Sequence, residues 1–317
     1  MHPKVSVIIP NYNHAAYLPQ RIESVLNQTI TGTEIIILDD CSTDNSREII
    51  MKYARNESRI ITCFNDENSG SPFKQWKKGI DMAKGDLIWI AESDDFAGKV
   101  LLEKIVSIFD KNQKVGVAYC QSNFVDEKGN VFGNHLENLK QLDSQLWETD
   151  FCIEGRTVLS EFMPIINIIP NASAALFRKS LLTDMNWGKL NSFTLAGDRY
   201  FWIHLLRNSF LGFVSGSYNN FRFSNTTVRS RTDKTVRYLK EIRTLYVLLL
   251  SQVPISWRVK RIAIRQWIRH FIKSIKSRDK KTSIVIRGLW EFAVILVASI
   301  LGHKIVSPLV AKTIEKH

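Results

Sequence analysis

The chain has 317 residues, 44% hydrophobic and 23% charged, with only 15 Gly and 8 Pro, which excludes collagen-like, low-complexity and wholly disordered classes. Its length exceeds the roughly 250 to 300 residues at which a single core stops growing, so a main domain with an appendage is expected. The formal net charge of +12 sits at one end: residues 222–317 carry 21 Lys and Arg against 5 Asp and Glu, and residues 1–221 carry 22 against 26. A tail of that sign seeks phosphate, on nucleic acid or on an anionic membrane surface.

Cys41, Cys63, Cys120 and Cys152 stand singly, without the spacing of a disulfide framework or a zinc site. The opening MHPKVSVIIPNYN has too short an apolar run for a signal peptide, so a cytoplasmic protein is expected.

Residues 4–9 (KVSVII), closed by Pro10, form the short, β-branched apolar run of a buried parallel strand. A helix is predicted over 15–27, then a second buried strand, EIIIL at 34–38, ending in Asp39-Asp40. Ser42, Thr43 or Asp44 can cap the helix that follows. The unit repeats with a strand at 59–64, the loop NDENSGSPF, a helix over 74–83 and a fourth strand at 86–90 that runs into Glu92-Ser93-Asp94-Asp95. Alternation of this kind predicts an α/β fold with a mainly parallel sheet flanked by helices. Ligands of such sheets bind at the carboxyl ends of the strands, where Asn11, Asp39-Asp40 and Glu92 to Asp95 all fall.

Beyond a helix at 99–112, strands are predicted at 115–121 and 122–125. A turn at 126–131 and an irregular loop over 133–155 follow. From Thr232 the pattern is helical. Ile264, Trp267, Ile268, Phe271 and Ile275 share one face, while Arg261, Arg265, Arg269, Lys273 and Lys276 keep a similar period between them. This describes a basic amphipathic helix with Trp257 and Trp267 as interfacial anchors. The apolar run at 284–301 carries Arg287 and Glu291, too short an uncharged core to span a bilayer.

Acidic clusters brought together at different strand ends repel one another unless something positive compensates. Mg²⁺ or Mn²⁺ held by one or two carboxylates and a nucleotide diphosphate is the chemistry that suits them. Neither a P-loop nor a G-x-G-x-x-G follows the first strand. Bland alternatives stay open for each piece. Asp39-Asp40 with the following Ser and Thr fits a helix cap, the ESDD cluster fits a solvated loop, and Asp198 fits an N-terminal helix charge.

Taken together, VSVIIPNYN at 5–13, IIILDDCSTD at 35–44, NSG at 68–70, KGDLIWIAESDD at 84–95 and AGDRYFWIHLL at 196–206 resemble family 2 inverting glycosyltransferases of the GT-A fold. The resemblance covers roughly residues 3–225. It implies a glycosyltransferase domain at 1–225, with a nucleotide-binding half at 1–121 and an acceptor half at 122–225. A C-terminal α-helical appendage at 226–317 would associate with membrane through residues 256–301. Pro10, Asn11, Tyr12, Asp39 and Asp40 would hold the nucleotide base of a sugar donor. Glu92, standing where the family usually has Asp, and Asp94 would lie at the diphosphate, Asp94 and Asp95 would bind Mn²⁺ or Mg²⁺, and Asp198 would be the general base. Many relatives carry an Arg after the NxG loop; this chain reads PFKQWKKG, leaving Lys74, Lys77 or Lys78 for the diphosphate or for a solvated helix face.

The implied activity is transfer from a uridine diphosphate sugar to a glycan or lipid-linked acceptor, on the inner face of the cell membrane, in surface-polysaccharide assembly. A catalytically inactive scaffold that binds anionic surfaces or nucleic acid through its tail is the rival, and the net negative front domain argues against it. A nucleotidyltransferase would need a Gly-rich basic loop near the first strand, which is missing.

Overall fold

The computed structural model describes residues 4–223 and 234–276, with six further positions between 293 and 300. The chain divides into two compact units. One comprises Met1–Ile153, Ile169–Ser192 and Ser209–Ser224; the other comprises Glu154–Ile168, Phe193–Asn208 and Asn225–His317.

The first unit is built on β1 (Val5–Asn11) and β2 (Glu34–Asp39), whose residues are all buried. Apolar runs buried on both faces are what a parallel sheet covered by helices requires. Helix α1 (Leu18–Leu26) places Leu18, Ile22 and Val25 on the sheet side, and α2 is Ser46–Asn56. After β3 (Ile60–Phe64), α3 (Pro72–Met82) lies against β1 so closely that a Cβ on Gly79 would stand 2.4 Å from Ile8 Cγ2. β4 (Leu87–Ile90), β5 (Phe96–Ala97) and α4 (Leu101–Lys111) follow. β1 pairs in parallel with both β2 and β4, and β2 with β3, so the first four strands arrange as the alternating pattern predicts.

The remainder adds short antiparallel pairings to this mainly parallel sheet. β6 (Val115–Val125) is one continuous strand where the sequence suggested two. Its polar break is internal: Gln121 and Ser122 are buried, and Ser122 Oγ accepts from Asn219 Nδ2 at 2.9 Å. The expected turn forms, with Gly129 at φ +89°, a region that favours glycine. Residues 133–155 hold short elements rather than one irregular loop: β7 (Val131–Asn134), α5 (Leu136–Lys140) and β8 (Phe151–Glu154). Buried Trp147, donating to Tyr119 Oη at 2.9 Å, anchors them. β9 (Ala175–Arg178) runs antiparallel between β4 and β6, and β10 (Phe210–Arg222) pairs in parallel with β6. Among the described residues ten strands form one sheet of order β3-β2-β1-β4-β9-β6-β10-β5, with β7 on β6 and β8 on β10.

The second unit contains α6 (Gly155–Glu161), α8 (Gly197–Leu206), α9 (Lys234–Gln252) and α10 (Trp257–Lys276); α7 (Trp187–Asn191) belongs to the first. In α10 the buried side is Val259, Ala263 and Trp267. Trp267 is therefore packed inside rather than offered as an interfacial anchor, whereas Trp257 is 57% exposed. The side chains of Phe271, Lys273, Ile275 and Lys276, and most of the 284–301 run, lie outside the described residues. Among the described residues no helix is long and apolar enough to cross a membrane.

Candidate active site

Three strand ends meet in the first unit because β1 lies between β2 and β4. Asn11 pairs across from Asp39, and Ala91 N donates to Ile8 O at 2.8 Å. Asn11 Nδ2 donates to Asp39 Oδ1 (2.9 Å) and Ser42 Oγ (3.2 Å). Ser42 in turn donates to Asp39 through Oγ (2.6 Å) and through its backbone N (3.0 Å). Asn13 (φ 56°) and Cys41 (φ 61°) both sit in the left-handed region, a conformation costing a non-glycine residue about 1 to 2 kcal/mol. The loops hold each other there: Ser42 Oγ accepts from Asn13 N at 2.9 Å, and Asn13 Oδ1 accepts from Thr43 N at 2.7 Å. Tyr12 projects from this frame, 46% exposed, beside the Pro10-Asn11 end of β1.

Asp40 is buried and organises the next loop. Its carboxylate accepts from Asn65 Nδ2 (2.6 Å), Ser69 N (2.9 Å), Ser69 Oγ (2.7 Å) and Gln75 Nε2 (2.8 Å). Lys74 Nζ donates to Ser69 O at 2.9 Å, so Asp40 and Lys74 are joined through one residue. Of the other lysines, Lys77 pairs with Asp81 and Lys78 donates to Asn65 Oδ1. Asp44 Oδ1 accepts from Ser46 N at 3.0 Å, but the N-cap of α2 is Asn45, without a side-chain cap bond, so none of Ser42, Thr43 and Asp44 takes the cap position expected from the sequence.

The acidic cluster after β4 is held from several sides. Glu92 Oε1 accepts from Trp76 Nε1 at 2.8 Å. Asp95 is buried; its Oδ1 accepts from Arg222 N at 2.9 Å and its Oδ2 from Asn171 Nδ2. Asn171 Oδ1 is engaged by Asn219 Nδ2 at 3.0 Å. Arg21 is wholly buried, donating from Nε to Glu92 O (2.8 Å) and from Nη2 to Ser173 Oγ (3.2 Å). Burial lowers its guanidinium to about 10, against the pull of Asp95, Asp94 and Glu92. Burial and the neighbouring Asp94 push Glu92 up to about 8, and the same causes raise Asp95. His14 Nδ1 lies 2.8 Å from Ser93 Oγ, so this histidine also belongs to the cluster.

A cluster whose carboxyls are raised by desolvation and like charge gains from a hard cation. Both Asp95 oxygens already have donors, while Asp94 is half-buried. Among the described residues no three His, Cys, Asp or Glu side chains converge as a complete metal cage. One or two carboxylates with phosphate oxygens is the usual set for Mg²⁺, and these residues fit that set.

Asp198 belongs to the second unit, on the first turn of α8. Its Oδ2 accepts from Asn167 Nδ2 at 3.0 Å and its Oδ1 from Arg199 N at 2.8 Å. Sequence reasoning passed over Arg21, Arg222, Asn171 and Asn167. A signal existed for Arg21, since Leu18, Ile22 and Val25 place position 21 inside the buried stripe of α1.

Acidic and amide side chains are thus gathered at the carboxyl ends of parallel strands, the place where ligands of open α/β sheets bind. Residues 6–165, half of the chain, match glycosyl transferase family 2, and the chain belongs to that family. The putative teichuronic acid biosynthesis glycosyltransferase TuaG of Bacillus subtilis is 40% identical over 102 residues, 32% of this chain and 40% of that protein. The GalNAc(5)-diNAcBac-PP-undecaprenol beta-1,3-glucosyltransferase of Campylobacter jejuni is 25% identical over 206 residues, covering 65% of this chain and 60% of that protein. The chain thus spans about half the length of these relatives. The crystal structure of S. aureus TarS 1-349 in complex with UDP-GlcNAc superposes with a TM-score of 0.70 at 19% identity, covering 98% of this chain and 92% of that one. The fold is accordingly the GT-A fold.

Proposed function

We propose that the chain transfers one sugar from a uridine diphosphate donor to a hydroxyl of a glycan or lipid-linked acceptor, by single displacement with inversion. The observation that carries this reading is the grouping of Glu92, Asp94 and Asp95 beside the strand ends bearing Asn11, Asp39 and Asp40. Family membership supports it, and the similarity to TarS, crystallised with UDP-GlcNAc, supports uridine as the base.

In this reading the Pro10-Asn11-Tyr12 end of β1 and the Asp39-Asp40 turn receive the base, and Lys74 and Glu92 face the diphosphate. Asp94 and Asp95 would hold Mg²⁺ or Mn²⁺, which when bound offsets charge on the departing diphosphate. Asp198 takes the proton of the acceptor hydroxyl as its oxygen bonds to the anomeric carbon. The bond from that carbon to the diphosphate oxygen breaks on the opposite face, and its electron pair leaves with the nucleotide. Asn167 holds the Asp198 carboxylate from one side, donating from Nδ2 at 3.0 Å.

Surface-polysaccharide assembly at the inner membrane face completes the proposal. Its support is the exposed row Arg258, Arg261, Arg265 and Arg269 on α10, flanked by exposed Trp257 and Ile272, chemistry suited to an anionic lipid surface. The test is calorimetric binding of UDP, GDP and TDP with and without Mn²⁺, on the wild type and on Asp94→Ala. UDP binding that requires metal and disappears in the variant is expected; no nucleotide binding under either condition overturns the reading.

A further inference from the structure

Helix α9 carries a buried carboxylate in the second unit. Glu241 is 7% exposed. Its Oε1 accepts from Thr194 N, and its Oε2 from Leu195 N and Ala196 N, all at 2.9 Å. One turn earlier on the same helix, Arg237 Nη1 donates to Thr194 Oγ1 at 3.2 Å. Three consecutive amides of one segment are thus gathered on one side chain some 45 positions away in sequence.

That segment leads directly into α8. Ala196 is the N-cap of this helix and has no side chain that could accept from its first turn. Asp198 follows two residues later. Burying an ionised carboxylate is costly unless donors surround it, and a hydrophobic residue would pack α9 without that cost. What the carboxylate adds is a fixed path for residues 194–196, and with it a fixed direction for the first turn of α8. Asn167 then sets the Asp198 carboxylate from the other end.

We infer that Glu241 is a positioning residue for Asp198, so that α9 works with the acceptor-side base and is more than a connection to a membrane-binding tail. The inference rests on the reading of Asp198 as general base. A base must stand within hydrogen-bond reach of the hydroxyl it deprotonates, and a misplacement of about 1 Å costs on the order of 100-fold in rate.

The test uses the full chain and the variants Glu241→Gln, Glu241→Ala and Asp198→Asn. Amide hydrogen exchange over residues 194–200 is read first. It is expected to quicken at least tenfold in Glu241→Ala and less in Glu241→Gln, which keeps one oxygen acceptor. UDP release from a panel of UDP-hexoses with alkyl glycoside acceptors is read next. The expected pattern is a kcat about 100-fold lower in Glu241→Ala, a donor KM within twofold of wild type, and partial recovery in Glu241→Gln. Should Glu241→Ala fail to fold, Glu241→Gln carries both readouts. Wild-type exchange at 194–198 in the variants overturns the inference, as does wild-type kcat where Asp198→Asn is inactive. Transfer that survives Asp198→Asn removes the base reading instead, and the exchange data still judge the hold of Glu241 on the turn.

Discussion

Arg222 grips both the carboxylate of Asp95 and the backbone carbonyl just before it. Its backbone N donates to Asp95 Oδ1 at 2.9 Å, while its Nε donates to the preceding carbonyl, Asp94 O, at 2.7 Å. The same guanidinium reaches Asp126 O (3.0 Å), Glu127 O (2.7 Å) and Gln20 Oε1 (2.6 Å), and lies over the rings of Tyr17 and Phe96. The side chain is buried, so Arg222→Met leaves several carbonyls without donors. A loss of about 3 to 5 kcal/mol is expected in urea unfolding. Arg222→Lys should recover little, because one ammonium cannot span four acceptors that a planar fork meets. Equal stability of the lysine variant and the wild type would contradict this account.

Asp94 and Asp95 should separate cleanly by mutation. Asp95→Ala strips the acceptor from Arg222 N and Asn171 Nδ2, and is expected to lower stability by about 1 to 3 kcal/mol with or without metal. Asp94→Asn, at a half-buried position, should unfold within about 0.5 kcal/mol of wild type yet lose the effect of Mn²⁺ on UDP affinity. Denaturant titration and calorimetry on the same preparations check both. The reverse pattern would mean that the cation is held elsewhere.

Asp44 supplies the pH dependence that is easiest to read. Burial works to raise its carboxyl, but the neighbouring Ser46 hydroxyl and the hydrogen bonds from Ala15 N and Ser46 N outweigh it and hold the group below the usual carboxylate range. The folded pKa is the lower one, so the folded state binds fewer protons, and its stabilising effect is present above the unfolded pKa and fades as pH falls. Asp44→Asn should therefore lie below wild type in urea midpoint at pH 7 and approach it toward pH 3. A difference that stays constant over this range would show that charge is not the source.

The exposed arginines of α10 give a separate expectation. Arg261, Arg265 and Arg269 replaced together by Gln in the full chain should weaken binding to phosphatidylglycerol vesicles by on the order of 100-fold, at roughly 1 kcal/mol per cation. Raised salt should reproduce most of that loss. Binding that ignores both changes would assign retention to Trp257 and Ile272.

The first half of the sheet was legible because VSVII and EIIIL are short runs rich in β-branched apolar residues and each leads into a polar turn, a pattern that favours buried parallel strands. β9 was not, because ALFR acquires its strand geometry only from the slot between β4 and β6. The site was legible in its carboxylates and amides, which stand at strand ends where pattern and chemistry coincide. Its supports were not: Arg222 and Asn171 reach Asp95 across 127 and 76 positions, and no periodicity encodes such pairings. Glu241 lies in the buried i, i+4 row of Leu245 and Leu249, where a charge is anomalous enough to have been noticed.

The insertion of β9 also fixes an order of events during synthesis. β1 to β4 can pair among themselves as soon as about the first hundred residues are available, but the edge of β4 stays open until residues 175–178 are made. β6 forms before its β4-side neighbour exists, so two partial sheets wait for one short antiparallel strand to join them. At the usual pace of about 5 to 20 residues per second, the edge Leu87-Ile88-Trp89-Ile90 is uncovered for several seconds. An apolar, unpaired strand edge is a template for aggregation, and this is the stretch of the nascent chain that a chaperone would need to shield.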